Sequence, residues 1–153
     1  MTLEERMENG KLYNSADETL QAKQRALNEL VYEYNATRPS ETQRRLELLR
    51  QIFPDVGENC WIEPPLRANW GSHTHLGNNV YANFNLTLVD DTHVYIGDHV
   101  MIGPNVTISA AGHPIDPDLR RETMQFNFPV RIGQNVWIGA GAMRSHVRSG
   151  ADP

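Results

Sequence analysis

His113 stands in the stretch AGHPIDPDLRR. Histidine is well suited to take a proton from a hydroxyl and return it, because a free imidazole titrates near pH 6.5, at about the pH where such chemistry runs. The polar, proline-rich surroundings place it in a loop that can fold over a groove. A solvated loop histidine is the plainer reading of the same residue. His73, His93 and His113 are spaced by twenty. If twenty is a structural step, the three form a column of imidazoles, and zinc needs about three such ligands with one open position. Outward-facing, solvated histidines explain His73 and His93 equally. Cys60 is the only cysteine and lies between Asn59 and Trp61, so it forms no intrachain disulfide and reads as packing.

The elements that position these residues follow from a second spacing. In IGDHVMIGPNVTI (96–108) an aliphatic residue returns every six positions, which is neither the helical period of 3.6 nor the strand period of two. The frame extends through Val56, Ile62 and Ala68, then Leu76, Ala82 and Leu88, then Ile96, Ile102 and Ile108, and finally Ile132 and Ile138. Three sixes plus two extra residues at one corner make a turn of twenty. Such a repeat predicts a parallel β-helix, in which each hexapeptide supplies one side of a triangular prism and the small residue after the aliphatic one permits a sharp corner. Residues 110–129 are too polar and proline-rich for a rung and read as a protruding loop.

Before residue 55 the pattern is helical. Asp17 caps a helix over about 18–34, with Leu20, Leu27, Leu30, Val31 and Tyr34 on one face. Ser40 and Gln43 make a capping box for a second helix that Pro54 ends. The expected organisation is therefore a helical segment over 1–54 that caps an open sheet edge, a β-helix over 55–142, and a non-repeat tail over 143–153. A net charge of −5 without a basic cluster argues against nucleic acid, and no apolar run reaches the roughly 18 residues that span a bilayer. With no signal-peptide character at the amino terminus, the expected location is cytoplasmic.

YANFNLTLVDD (81–91), IGDHVMIGPNVTI, AGHPIDPDLRR and IGQNVWIG (132–139), with GKLYNSADETL and EYNATRPSE, resemble the hexapeptide-repeat galactoside and maltose O-acetyltransferases over about residues 5–142. The resemblance implies a mainly β fold, a left-handed parallel β-helix with an N-terminal helical cap. It also implies acetyl-CoA-dependent transfer of an acetyl group to a sugar hydroxyl of the galactoside, maltose or glucose type. The protein is then a homotrimer with active sites between neighbouring prisms, acetyl-CoA and a small sugar as its partners, and no metal. By the same resemblance His113 is the base for direct attack on the thioester. In the resembled family the positions of Asn83 and Asp91 line the acceptor and acetyl groups, and the segment of Asp17 reaches the acceptor pocket. Asn69 is a further candidate for the acceptor, within a segment, RANWG, that departs from both branches, and Asn83, Trp137 and Ala140 are the candidates for the cofactor, Trp137 through apolar contact with the sugar or the pantetheine arm. Helix capping explains Asp17 as well, and a β-helix corner would explain Asn83. NFNLTLVDD matches the galactoside branch and HPIDP the maltose branch, which leaves the acceptor open.

Two alternatives accompany this reading. The histidine column would suit a zinc-dependent hydratase like the trimeric β-helix carbonic anhydrases. After Ile138 the frame asks for aliphatic residues where Arg144 and Arg148 stand, so a shortened, inactive or merely associating form with an out-of-frame tail from about Met143 is the other.

Overall fold

The computed structural model describes residues 1–145. Its body is a left-handed parallel β-helix of three faces. After three helices, α1 (Leu3–Glu8), α2 (Glu18–Asn35) and α3 (Thr42–Ile52), and a short strand β1 (Tyr13–Asn14), the chain enters the prism. Face one stacks β4 (Thr74–Leu76), β7 (Val94–Ile96) and β12 (Val130–Ile132). Face two stacks β2 (Trp61–Ile62), β5 (Tyr81–Ala82), β8 (Met101–Ile102) and β13 (Trp137–Ile138). Face three stacks β3 (Leu66–Ala68), β6 (Leu86–Val89), β9 (Thr107–Ser109) and β14 (Met143–Ser145).

The six-residue frame is the register of these faces. Val56, Leu76, Ile96 and Ile132 align along one edge, Ile62, Ala82, Ile102 and Ile138 along the next, and Ala68, Leu88 and Ile108 along the third. Most of these side chains are buried in one continuous core, and each large one contributes about 1.5–3 kcal/mol by leaving water. That core holds the register, since a one-residue slip would turn the whole set outward.

Asparagine and glycine make most of the corners, with His99 at φ 57° in the place that Asn59 and Asn79 hold on earlier coils. Asn59, Asn79, Asn85, Asn105 and Asn135 adopt φ between 55° and 63°, a left-handed conformation that asparagine tolerates better than most side chains. Asn85 donates from Nδ2 to Asn105 Oδ1 at 2.9 Å, so the corner asparagines also bind one another between coils. Gly97 serves differently. A Cβ there would lie 2.7 Å from Gln134 N and 2.8 Å from Gly133 C of the next coil, so the small residue is required by the approach of backbones. Gly97→Ala is expected to destabilise the fold by about 1–3 kcal/mol through overpacking, read as a lower denaturant midpoint at unchanged slope.

The helical segment covers the first coil. Val31, Tyr34, Leu48, Leu49, Ile52 and Phe53 are buried in the same core as the inward residues. The Asn35 side chain donates to Leu66 O and accepts from Leu66 N, at 2.9 and 2.8 Å, and so occupies the exposed edge of β3 as a neighbouring strand would. Asp17 caps α2, accepting from Thr19 N and Leu20 N. The expected Ser40–Gln43 box does not form. Glu41 is the N-cap of α3 without a side-chain bond into the helix, its Oε2 accepting from Arg38 N at 2.7 Å, while Gln43 bonds to Glu47. Helix α1 went unread in the sequence although Thr2 and Glu5 form its capping box.

The loop over 110–129 leaves at the corner that holds the extra residues in the first two turns. It is an ordered hairpin, with β10 (Ala111–Gly112) antiparallel to β11 (Met124–Asn127) and α4 (Pro117–Arg121) between them. The far side of β11 pairs with β1, Tyr13 opposite Gln125, so the amino-terminal segment clamps the loop. Of the expected non-repeat tail over 143–153, the first three residues form strand β14. Met143–Ser145 pair in register with Thr107–Ser109, with the exposed Arg144 opposite Ile108. The remainder of that tail lies outside the described residues. No helix among the described residues is long and apolar enough to cross a membrane.

Candidate active site

The corner between faces three and one is built around Asp90. This carboxylate is fully buried. Its Oδ1 accepts from Asn69 N and Trp70 N at 3.0 and 2.8 Å, and its Oδ2 from Gly71 N and Thr74 Oγ1 at 2.8 and 2.9 Å. Burial pushes the Asp90 carboxyl above the ordinary range, opposed by these hydrogen bonds. Gly71, at φ +63°, lies under α3, where a Cβ would meet Ile52 O at 2.1 Å. The segment RANWG is thereby wrapped over its neighbour coil in a single arrangement.

Asp91 points the other way. It lines a cavity of about 420 Å³ whose walls come from four parts of the chain. Face three supplies Asn69, Val89 and Ser109, each directly after an inward residue and twenty positions apart. The hairpin supplies Ala111, His113 and Gln125, while Ser15 and Gln24 come from the amino-terminal segment. Among the described residues Asp91 is its only carboxylate, and neither lysine nor arginine lines it. Gln125 is fixed by Tyr13 Oη and Asn127 Oδ1, and Asn127 Nδ2 in turn donates to Asp91 O at 3.1 Å. Burial pushes the Tyr13 phenol far up, so it acts here only as a neutral hydrogen-bonding group.

His113 Nδ1 lies 2.8 Å from Met124 O across the hairpin. A carbonyl only accepts, so Nδ1 carries the hydrogen of the neutral ring and Nε2 keeps the lone pair. The cavity thus presents an imidazole with a fixed tautomer, a carboxylate and several neutral polar groups. Such a set can receive a polyhydroxyl molecule and take a proton from one of its hydroxyls.

The galactoside O-acetyltransferase of Escherichia coli (strain K12) is 48% identical to this chain over 140 residues, which are 92% of the chain and 69% of that relative. The chain belongs to the galactoside and maltose O-acetyltransferase family. The family model described as "Maltose acetyltransferase hexapeptide capping motif" matches residues 6–57. A solved maltose O-acetyltransferase from Clostridium difficile 630 superposes with a TM-score of 0.92 at 39% identity, covering 95% of this chain and 78% of its own. A galactoside acetyltransferase solved in complex with coenzyme A superposes with a TM-score of 0.81 at 44% identity, covering 94% of this chain and 74% of its own.

Of the residues expected to serve this acetyltransferase, His113, Asn69 and Asp91 meet in the cavity, and the others do not. Asp17 is committed to α2, its Oδ1 accepting from Thr19 N, Thr19 Oγ1 and Leu20 N, and Ser15 two residues earlier lines the cavity instead. Asn83 sits at the corner after β5, where its Oδ1 accepts from Phe84 N at 2.8 Å. Trp137, 79% exposed, stands on the outer surface of face two, with Ala140 exposed shortly after it. Ser15, Gln24, Ser109 and Gln125 were missed. For Ser109 the signal was available, because the frame places it directly after an inward residue, level with Asn69 and Val89.

The histidine column does not form in this acetyltransferase. Val130 pairs with Val94, so the position equivalent to His93 on the next coil belongs to Pro129, and His113 has left with the hairpin. His75 joins the other two instead: its Nε2 lies 2.9 Å from His93 Nδ1, and the His73 and His93 rings are 5.4 Å apart. Among the described residues no three His, Cys, Asp or Glu side chains are arranged to hold a metal.

His93 is held below its ordinary value, first by burial and then by the charges of His73 and His75, with Glu8 acting against them and Arg131 with them. His75 also bonds Asp55 and stacks on Tyr95, which carries the Arg131 guanidinium on its other contact. The unfolded chain therefore binds a proton at this site at higher pH than the native one, and native stability falls as pH drops below about 6.5. In His93→Gln the loss of denaturant midpoint between pH 8 and pH 5 is expected to be smaller than in wild type. The raised Asp90 works with opposite sign, but it is common to both proteins and cancels in the comparison.

Proposed function

We propose that the cavity holds a sugar and that its hydroxyl attacks the thioester carbonyl of acetyl-CoA directly, with His113 Nε2 as the general base. The new C–O bond forms as the hydroxyl proton moves to Nε2. The tetrahedral oxyanion then collapses, the C–S bond breaks, and the proton passes from the imidazolium to the leaving thiolate. The products are the O-acetyl sugar and the free thiol, and no acyl-enzyme is required. The observation that carries this reading is the His113 tautomer, pinned by Met124 O so that the lone pair is on the nitrogen available to substrate.

The cofactor set Asn83, Trp137 and Ala140 lies away from the cavity of its own chain, which fits a homotrimer in which one copy's face two meets another copy's cavity. Exposure of Met101 (56%) and Trp137 (79%), in register on that face, supports the assembly. Thiol release from acetyl-CoA is to be measured with methyl β-galactoside, maltose and glucose, wild type beside His113→Ala. Sugar-dependent release that is lost in the variant supports the reading; equal background in both overturns it. Size in solution tests the trimer.

A further inference from the structure

Both oxygens of Asp91 are held by neutral donors drawn from two distant parts of the chain. Oδ2 accepts from Asn69 Nδ2 at 3.0 Å, while Oδ1 accepts from Gln24 Nε2 and from Trp70 Nε1, each at 3.3 Å. Gln24 reaches in from α2, 67 residues away in sequence. Trp70 is itself backed by His73, their rings stacked with centroids 5.0 Å apart and planes 17° from parallel. His73 in turn is anchored through Nδ1 to Asp90 O at 2.9 Å. An ionised carboxylate offers about four lone-pair positions. Three are taken by donors among the described residues, and Asp91, only 6% exposed, lines the cavity, from which a fourth donor can reach it.

We propose that Gln24 and Trp70 are positioning residues of the acceptor site, fixing Asp91 so that its one open lone-pair position receives a hydroxyl of the sugar next to the hydroxyl that is acetylated. The inference rests on the function proposed above and narrows its substrate class. The acceptor must carry a donor hydroxyl at that second position, and an analogue lacking it leaves a buried carboxylate position unpaired. All three donors among the described residues are neutral.

The test is steady-state kinetics with methyl β-galactoside and maltose, and with the monodeoxy analogues of whichever is turned over, on wild type, Gln24→Leu and Trp70→Phe. The phenylalanine keeps a ring against His73 while removing the Nε1 donor, and the melting temperature reads the packing lost with the smaller ring. Each variant is expected to raise the sugar KM about tenfold, as loss of one hydrogen bond to a charged group does, with the acetyl-CoA KM and kcat within about twofold of wild type. Wild type is expected to reject one deoxy analogue strongly, and the variants to discriminate against it less. A sugar KM unchanged in both variants overturns the positioning role, as does a parallel rise in both KM values in variants that melt like wild type. Gln24 lies on a partly exposed helix face and keeps the test open if Trp70→Phe does not fold. Wild type inert toward these two sugars and toward glucose overturns the proposed function and this inference with it, whereas active wild type with unaltered variants overturns this inference alone.

Discussion

His113→Ala is expected to lower kcat for sugar acetylation by about 10²–10⁴-fold, the range that a positioned general base supplies. The expectation follows from the hairpin. With Nδ1 donating to Met124 O, the ring has one free nitrogen and cannot rotate to offer the other without giving up that bond. An alcohol left to lose its proton to water in the same cavity has the binding groups but not the acceptor at the right place. His113 is exposed, so its removal should leave the melting temperature close to wild type. A rate loss together with an unchanged melting temperature separates the loss of chemistry from loss of fold; a variant as active as wild type would eliminate the imidazole as base.

Asp90→Ala is expected to have the largest effect on stability, about 3–5 kcal/mol, although its neighbour in the DD pair is chemically identical. Four donors converge on Asp90, three of them backbone N–H groups of the same corner. Removing the carboxylate strands these donors in a buried place, each at a cost of about 1–3 kcal/mol less whatever water and relaxation recover. Against a total stability of about 5–15 kcal/mol for a domain, such a loss brings the fold near its limit at physiological temperature. Asp91→Ala should instead raise the sugar KM while losing much less stability, since its side-chain partners are side chains that can turn elsewhere. Chemical denaturation of the two variants side by side checks the contrast, and equal losses would show that both carboxylates serve the same corner.

The prism was legible because its signal is periodic and strong. Every aliphatic residue in the frame from Val56 to Ile138 lies on the inward edge that the period assigned to it, and the excess of two residues per turn located the corner where Asp90, Asp91 and the hairpin are found. Short, aperiodic elements were not legible. Strand β10 is two residues long and β1 is two, too few for alternation to show, so the loop read as irregular although Asp116 and Pro117 open a helical turn within it. The second capping box failed because Ser40 and Glu41 compete for one role, and Glu41 turned back to Arg38 N. Among the residues that line the cavity, His113 and Asp91 were singled out with the help of family motifs, whereas Asn69 stands in a segment, RANWG, that departs from both branches of the family. Gln24 could not be singled out, since nothing local ties a glutamine on the polar side of a helix to a carboxylate 67 residues later.

The pairing of β1 with β11 bears on how the molecule comes into being. Neighbouring coils join residues twenty positions apart, as in Thr87 with Thr107, or thirty-six across the hairpin, as in Trp137 with Met101, so the solenoid can grow by closing small loops in succession. The wall of the cavity cannot, because Tyr13 must meet Gln125 and Asn127, 112 and 114 residues downstream. Closing so long a loop carries a greater entropic burden than joining neighbouring coils and is favoured after the intervening coils have shortened the distance. Zippering of the coils and latching of the amino-terminal strand are thus distinct events, and the cavity wall is whole once the latch has closed.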